Sequence, residues 1–313
     1  RVSMNQTDIK GEFLIVLNKD EDTISLVGIQ NSHVIKTITS DHNPHEVAIT
    51  PDGKKTYVTC SLGNVIDVID NSTFEIVNRI TDVEFDFPHG VGIDKNGILY
   101  MASTYSNRVF VIDTITDRII DRFKTNEEHS HMIAFTPDEQ TIYVPNIGSN
   151  TLTRIETRTH KIMETIPVGK GPEGVAVHPN GKHLYVANQH DNTLYVMSTD
   201  THDILWKRKL GHCPIRVVFT PDGKYALVPN RESDDLSIIL TKQHINDTER
   251  PWEIKRIPVG KWPGGVVTNS DGTLAFVANN KTNDLSIIDM ISLKEIGRID
   301  VGIHPDGLAY LKC

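Results

Sequence analysis

Three histidines and one glutamate, His45, His89, His131 and Glu173, stand 44, 42 and 42 residues apart, each opening a short apolar run: "HEVAIT", "HGVGID", "HMIAFT" and "EGVAVH". Neutral imidazole supplies a nitrogen lone pair and glutamate a charged oxygen. Together they suit a borderline divalent metal ion, with iron, zinc, manganese and copper not distinguished by the donor set. Such a first shell leaves positions for water, oxygen or substrate on an ion that takes five or six ligands. The alternative is a histidine that serves as a turn residue and bonds within its own repeat. That role would recur in most repeats, yet the same position next reads Ile215, Gly264 and Asp306. The uneven distribution on consecutive units favours one localised site over a repeated structural device.

Four side chains so far apart in sequence meet only if a repeating architecture carries them to one place. The chain repeats at about forty residues. The segments beginning "HEVAITPDGKKTYVTC", "EGVAVHPNGKHLYVAN", "IRVVFTPDGKYALVPN" and "GGVVTNSDGTLAFVAN" share one grammar. A short apolar strand runs into a tight turn, most often Pro-Asp-Gly or Pro-Asn-Gly; an alternating strand follows, then a polar turn and two further strands. Each unit is expected to be a four-stranded antiparallel meander. From His45 to Asp306 the steps are 44, 42, 42, 42, 49 and 42 residues, so one insertion falls between Ile215 and Gly264. It matches "LTKQHINDTERPWEIKRI" and is expected to lengthen an outer hairpin.

The seventh unit, "DGLAYLKC", holds one strand, and the three it lacks are available in "EFLIVLNKDEDTISLVGIQNSHVIKTI" at the other end. The expected fold is therefore all-β: one seven-bladed β-propeller domain over 1–313, closed by pairing the N-terminal strands with the C-terminal one. The blades span approximately 45–85, 89–127, 131–170, 173–212, 215–260 and 264–303, with 306–313 plus 11–40 as the seventh.

"YVTC" at 57–60, "YVPN" at 143–146 and "YVAN" at 185–188, with the recurring "PDGK" and "PNGK", resemble the YVTN family of seven-bladed propellers and its surface-layer and lactonase-like relatives. The resemblance covers nearly the whole chain and implies the fold. For activity it implies a range, since the relatives include enzymes and binding proteins. It also implies that the start of each blade's first strand lies at one mouth of the central channel, where His45, His89, His131 and Glu173 would converge.

Other residues belong to the same mouth. Asp306 is a candidate acid or base, and Arg216, next to Ile215, a candidate for orienting a substrate anion. The ends of the second strands read Asn18, Cys60, Ser103, Asn146, Asn188, Asn230 and Asn279. Five asparagines point to local turn capping, and Cys60 reads most simply as a small buried apolar group. Tyr105, His190 and Arg231 are further lining candidates. His42, His129, His212 and His304 either back the imidazoles or decorate solvent-facing connections.

Composition narrows the classes. A net charge of -9 over 313 residues argues against a nucleic-acid partner, and no window approaches the ~18 apolar residues of a membrane span. Three widely spaced cysteines, Cys60, Cys213 and Cys313, make neither a disulfide framework nor a CxxC zinc site. The sequence carries no nucleophile elbow, P-loop, dinucleotide fingerprint or HExxH. A soluble protein is expected, cytoplasmic or exported with a signal already removed, and its oligomeric state is open. The leading expectation is a metal-dependent enzyme acting on a small molecule at the channel mouth, as lyase, hydrolase or oxygenase. The alternatives are a non-catalytic propeller that binds a protein or surface ligand and, third, a lactonase-like hydrolase in which Glu173 and Arg216 share one pocket.

Overall fold

Alternation is what builds the sheets. In the computed structural model, which describes residues 10–243 and 252–313, the runs read from the sequence form seven four-stranded antiparallel sheets. In blade 1 the strands are Pro44–Ile49, Lys55–Cys60, Val65–Asp70 and Glu75–Thr81, paired in sequence order. The first turn of this blade needs a left-handed residue, and Gly53 supplies it at φ 73° without steric cost.

The ring closes as the sequence implies. The C-terminal strand Pro305–Lys312 pairs with Glu12–Asn18, placing Phe13 opposite Leu311 and Ile15 opposite Ala309. Strands Thr23–Gly28 and His33–Thr39 complete that sheet. Closure removes the open edge that a linear stack of such blades would present.

The core lies between blades. Tyr57, Ile66 and Val68 of blade 1 pack against Leu99, Met101 and Phe110 of blade 2, all nearly or fully removed from solvent. Burial of this kind, repeated around the ring, drives its formation. The tyrosines of the recurring motif, Tyr57, Tyr143 and Tyr185, are buried parts of this packing.

The amide nitrogens of the motif asparagines donate inside their own blades. Asn146 Nδ2 donates to Thr151 Oγ1 at 3.2 Å and Thr153 Oγ1 at 2.9 Å, and Asn279 Nδ2 donates to Asp284 and Ser286, both at 2.9 Å. Blade 1 substitutes another network. Cys60 Sγ lies 3.5 Å from Asp67 Oδ2, and Arg79 Nε meets Asp67 Oδ1 at 3.1 Å. In blade 2 the Ser103 hydroxyl donates to Asp86 O. The insertion in blade 5 joins Asp235–Leu240 to Glu253–Pro258, the third and fourth strands of its sheet, and its residues 244–251 lie outside the described residues.

Candidate functional site

One local device, repeated seven times, sets where the inner strands enter the channel. Two positions before each of His45, His89, His131, Glu173, Ile215, Gly264 and Asp306 the backbone is left-handed: Asn43, Phe87, His129, Gly171, Cys213, Trp262 and His304, with φ between 56° and 65°. The amide of each donates to an Asn or Asp side chain in the preceding blade's inner turn, over 2.8–3.0 Å. The acceptors are Asp22, Asn64, Asn107, Asn150, Asn192, Asp234 and Asn283. These side chains satisfy backbone donors that the sheet ladders leave over. Each blade thus positions the first strand of the next.

A bulge then turns the side chain inward. Pairing in blade 1 runs Pro44 to Cys60 and then Glu46 to Thr59, so His45 opposes no residue. The same irregularity isolates Glu173 between Pro172 and Gly174, and in blade 2 the pairing breaks from Pro88 to Val91, a gap that takes in His89 and Gly90. An unpaired residue of this kind re-aims its side chain off the sheet surface. In blade 3 the pairing breaks between the Ser130–Asn146 bridge and the short strand Ala134–Phe135, and His131 lies in that gap.

The next position along is glycine in four blades because neighbouring backbones touch there. A Cβ on Gly90 would lie 2.3 Å from His131 O, and one on Gly307 2.3 Å from His45 O. Glu46, Met132 and Arg216 are the exceptions. The two charged ones find each other across 170 residues of sequence: Arg216 NH2 meets Glu46 Oε1 at 2.6 Å.

Around that pair the site assembles. Arg216 NH1 reaches Glu173 Oε2 at 3.2 Å, and Glu173 Oε1 meets His131 Nε2 at 2.9 Å. The His131 Nδ1 contacts the Thr104 hydroxyl at 3.0 Å. His89 stacks on His131 with ring centroids 3.6 Å apart and planes 18° from parallel. Its Nδ1 donates to His131 O at 3.1 Å, which leaves Nε2 as the lone-pair nitrogen of a neutral ring. His45 Nε2 faces Asp306 Oδ2 at 3.5 Å, and Lys19 Nζ stands 4.0 Å from the same oxygen.

Burial and charge pull the ionisable groups apart. Burial raises Glu46 to about 7 against the opposing Arg216 charge. Burial pushes Glu173 the same way, but the Arg216 guanidinium and the His131 hydrogen bond outweigh it and hold this carboxyl well below the usual range. Asp306 is likewise lowered, since His45, Lys19 and Arg216 overcome its burial. Desolvation takes His45 down to about 4, with Asp306 opposing, and pushes His89 well below the ordinary imidazole value. Two carboxylates on one guanidinium with opposite tendencies is an arrangement that separates acid and base roles.

Of the four residues read as metal ligands, three come together. Ligand atoms of His89, His131 and Glu173 all lie within 4.8 Å of one another. His45 joins the cluster through its ring, 4.7 Å from that of His89, while its Nε2 turns to Asp306. Arg216 is held between two carboxylates. Asp306 contacts His45 of the adjoining blade.

Cys60 sits in the blade 1 network with Asp67, and burial pushes its thiol up. The four outlying histidines hold the rim: His42 contacts Asp22 at 3.0 Å, His304 contacts Asp20 at 2.5 Å, His212 contacts Asn192 at 3.3 Å, and His129 packs edge-on against Tyr105. Arg231 lies by the Trp262 ring, 5.5 Å from its centroid. Glu46, Lys19 and Thr104 were not anticipated. Glu46 had a signal, because it and Arg216 are opposite charges at a position that is otherwise mostly glycine.

A family model described as a seven-bladed β-propeller lactonase matches residues 120–294, more than half of the chain. The chain belongs to this family. No curated protein matches it. Solved structures of the same shape include a Kuenenia stuttgartiensis hydrazine synthase, at 19% identity and TM-score 0.81, covering 93% of this chain and 98% of that one. A functionally unknown protein from Desulfotomaculum acetoxidans DSM 771 has 16% identity and TM-score 0.82, with 96% and 99% covered. A proposed 6-phosphogluconolactonase of Bacteroides uniformis ATCC 8492 has 15% identity and TM-score 0.79, with 96% and 100% covered. At these identities the likeness is one of fold. Among the described residues of this member of the lactonase propeller family, no helix is long and apolar enough to cross a membrane.

Proposed function

We propose that the protein hydrolyses a small ester at the channel mouth, with lactones the first class to test and Glu46 the group that moves the proton. The observation that carries this reading is the shared guanidinium: Arg216 holds Glu46 at 2.6 Å and Glu173 at 3.2 Å, one carboxyl raised to about 7 and the other held ionised. Membership of the lactonase propeller family supports it.

In the proposed step, ionised Glu46 accepts a proton from water as the water oxygen bonds to the ester carbonyl carbon. Collapse of the tetrahedral intermediate breaks the bond to the alkoxy oxygen, and Glu46 returns the proton to that oxygen. Lys19, held only at 4.0 Å by Asp306, is the cation available to the developing oxyanion. Arg216 is a positioning residue, since Glu46 and Glu173 already occupy its guanidinium.

The test is hydrolysis of a panel of sugar and aliphatic lactones by the parent and by Glu46→Gln. The substitution is expected to lower kcat by ~10²-fold or more and to abolish the limb of the pH–rate profile near 7. Turnover of no panel member by the parent, or an unchanged profile in Glu46→Gln, would overturn the reading.

A further inference from the structure

We propose that His89, His131 and Glu173 bind one divalent transition-metal ion at the channel mouth. Three blades supply the ligands, all buried, with donor atoms within 4.8 Å of one another. The inference goes beyond the hydrolytic reading and does not depend on it.

Two observations outside the cluster's composition point to a ligand. Glu173 Oε2 is buried without a hydrogen-bond partner, although Arg216 NH1 stands 3.2 Å away. Arg216 meets its charge, yet with NH1 donating to Ile215 O at 3.0 Å this buried oxygen accepts no hydrogen bond, which leaves a lone pair that a cation would engage. The second is the tautomer of His89. Its Nδ1–H is committed to His131 O at 3.1 Å, the outer hydrogen bond that metal-ligating imidazoles characteristically make, and Nε2 keeps its lone pair.

The metal-free geometry also says what must change. His131 Nε2–H now donates to Glu173 Oε1 at 2.9 Å, so a proton occupies the direction an ion would take. Metal binding requires Nε2 free of that proton, with Nδ1–H donating to the Thr104 hydroxyl 3.0 Å away. The two rings are stacked, 18° from parallel with centroids 3.6 Å apart, so one imidazole must also turn for both to aim a nitrogen at one ion. Two nitrogens and a carboxylate oxygen favour zinc, cobalt, manganese or iron over calcium, and leave positions for water.

The experiment uses untagged, chelator-stripped full-length protein titrated with Co²⁺ and read by visible absorption. One equivalent of Co²⁺ is expected to give ligand-field bands, lost in His131→Ala and in Glu173→Gln. Thr104→Val, which removes only the acceptor, should weaken binding by ~10-fold. Because a variant can fail by misfolding, the parent protein supplies a second readout: added Zn²⁺ should move the His131 proton from Nε2 to Nδ1 in ¹⁵N-resolved spectra. No bands and no tautomer change in the parent, or unchanged bands in both ligand variants, would overturn the proposal. Hydrolysis that survives chelation without Co²⁺ bands removes the ion and leaves the hydrolase; bands without hydrolysis do the reverse.

Discussion

Arg216 NH2 and Glu46 Oε1 lie 2.6 Å apart, joining blade 5 to blade 1 through a largely buried ion pair between residues 170 positions apart. Glu173 on the other side makes this a three-membered chain, so the one cation compensates two carboxylates. Removing Arg216 strands both. Arg216→Gln is expected to cost about 3–5 kcal/mol in urea unfolding, because an uncompensated buried charge is left behind. Glu46→Gln should cost clearly less, since Arg216 keeps Glu173 and the burial that raises Glu46 no longer opposes a charge. Equal losses in the two variants would contradict this division.

Gly90 is required by a neighbour rather than by its own backbone. Its amide donates to His131 O at 2.8 Å, the same oxygen that His89 Nδ1 meets at 3.1 Å. Gly90→Ala would place a methyl 2.3 Å from that oxygen. The expected cost is about 1–3 kcal/mol from overpacking, together with weakened Co²⁺ binding because His131 must shift. A crystal structure of the variant with His131 unmoved would contradict the argument.

Asn107 links blade 2 to the entry of blade 3. Its Oδ1 accepts the His129 amide at 2.8 Å, and its own backbone is left-handed at φ 51°. Asn107→Ala loses the bond and strains the backbone, whereas Asn107→Gly loses only the bond. Unfolding should therefore show the alanine variant less stable than the glycine variant by about 1 kcal/mol, the cost of the left-handed region for an L-residue. Both should lower activity, because His131 follows His129 by two residues.

The thiols offer a check on packing. Cys60 and Cys213 are buried and Cys313 is exposed. Burial pushes Cys60 up and raises Cys213 to about 11, so neither presents thiolate at pH 8. A disulfide-exchange reagent at that pH should titrate one thiol quickly in the native protein and three after denaturation. Fast reaction of a second native thiol would show a blade interface looser than described.

Much of this molecule is legible in one dimension because most strands pair with the one that follows them in the chain. Strand alternation, the Pro-Asp-Gly turns and the period near forty-two residues determine seven antiparallel meanders, and the complementary termini determine that the ring closes. The same register placed His45, His89, His131, Glu173, Arg216 and Asp306 at one mouth. What periodicity does not carry is the direction and pairing of side chains once the blades face each other. The bulge that isolates His45 and the left-handed residue before it decide where each ring points; that His45 turns to Asp306 while His89 stacks on His131 is decided across blades. The Glu46–Arg216 pair belongs to the same class. Each departs from the glycine usual at its position, but only closure of the ring brings their charges to 2.6 Å, where burial makes their pairing obligatory.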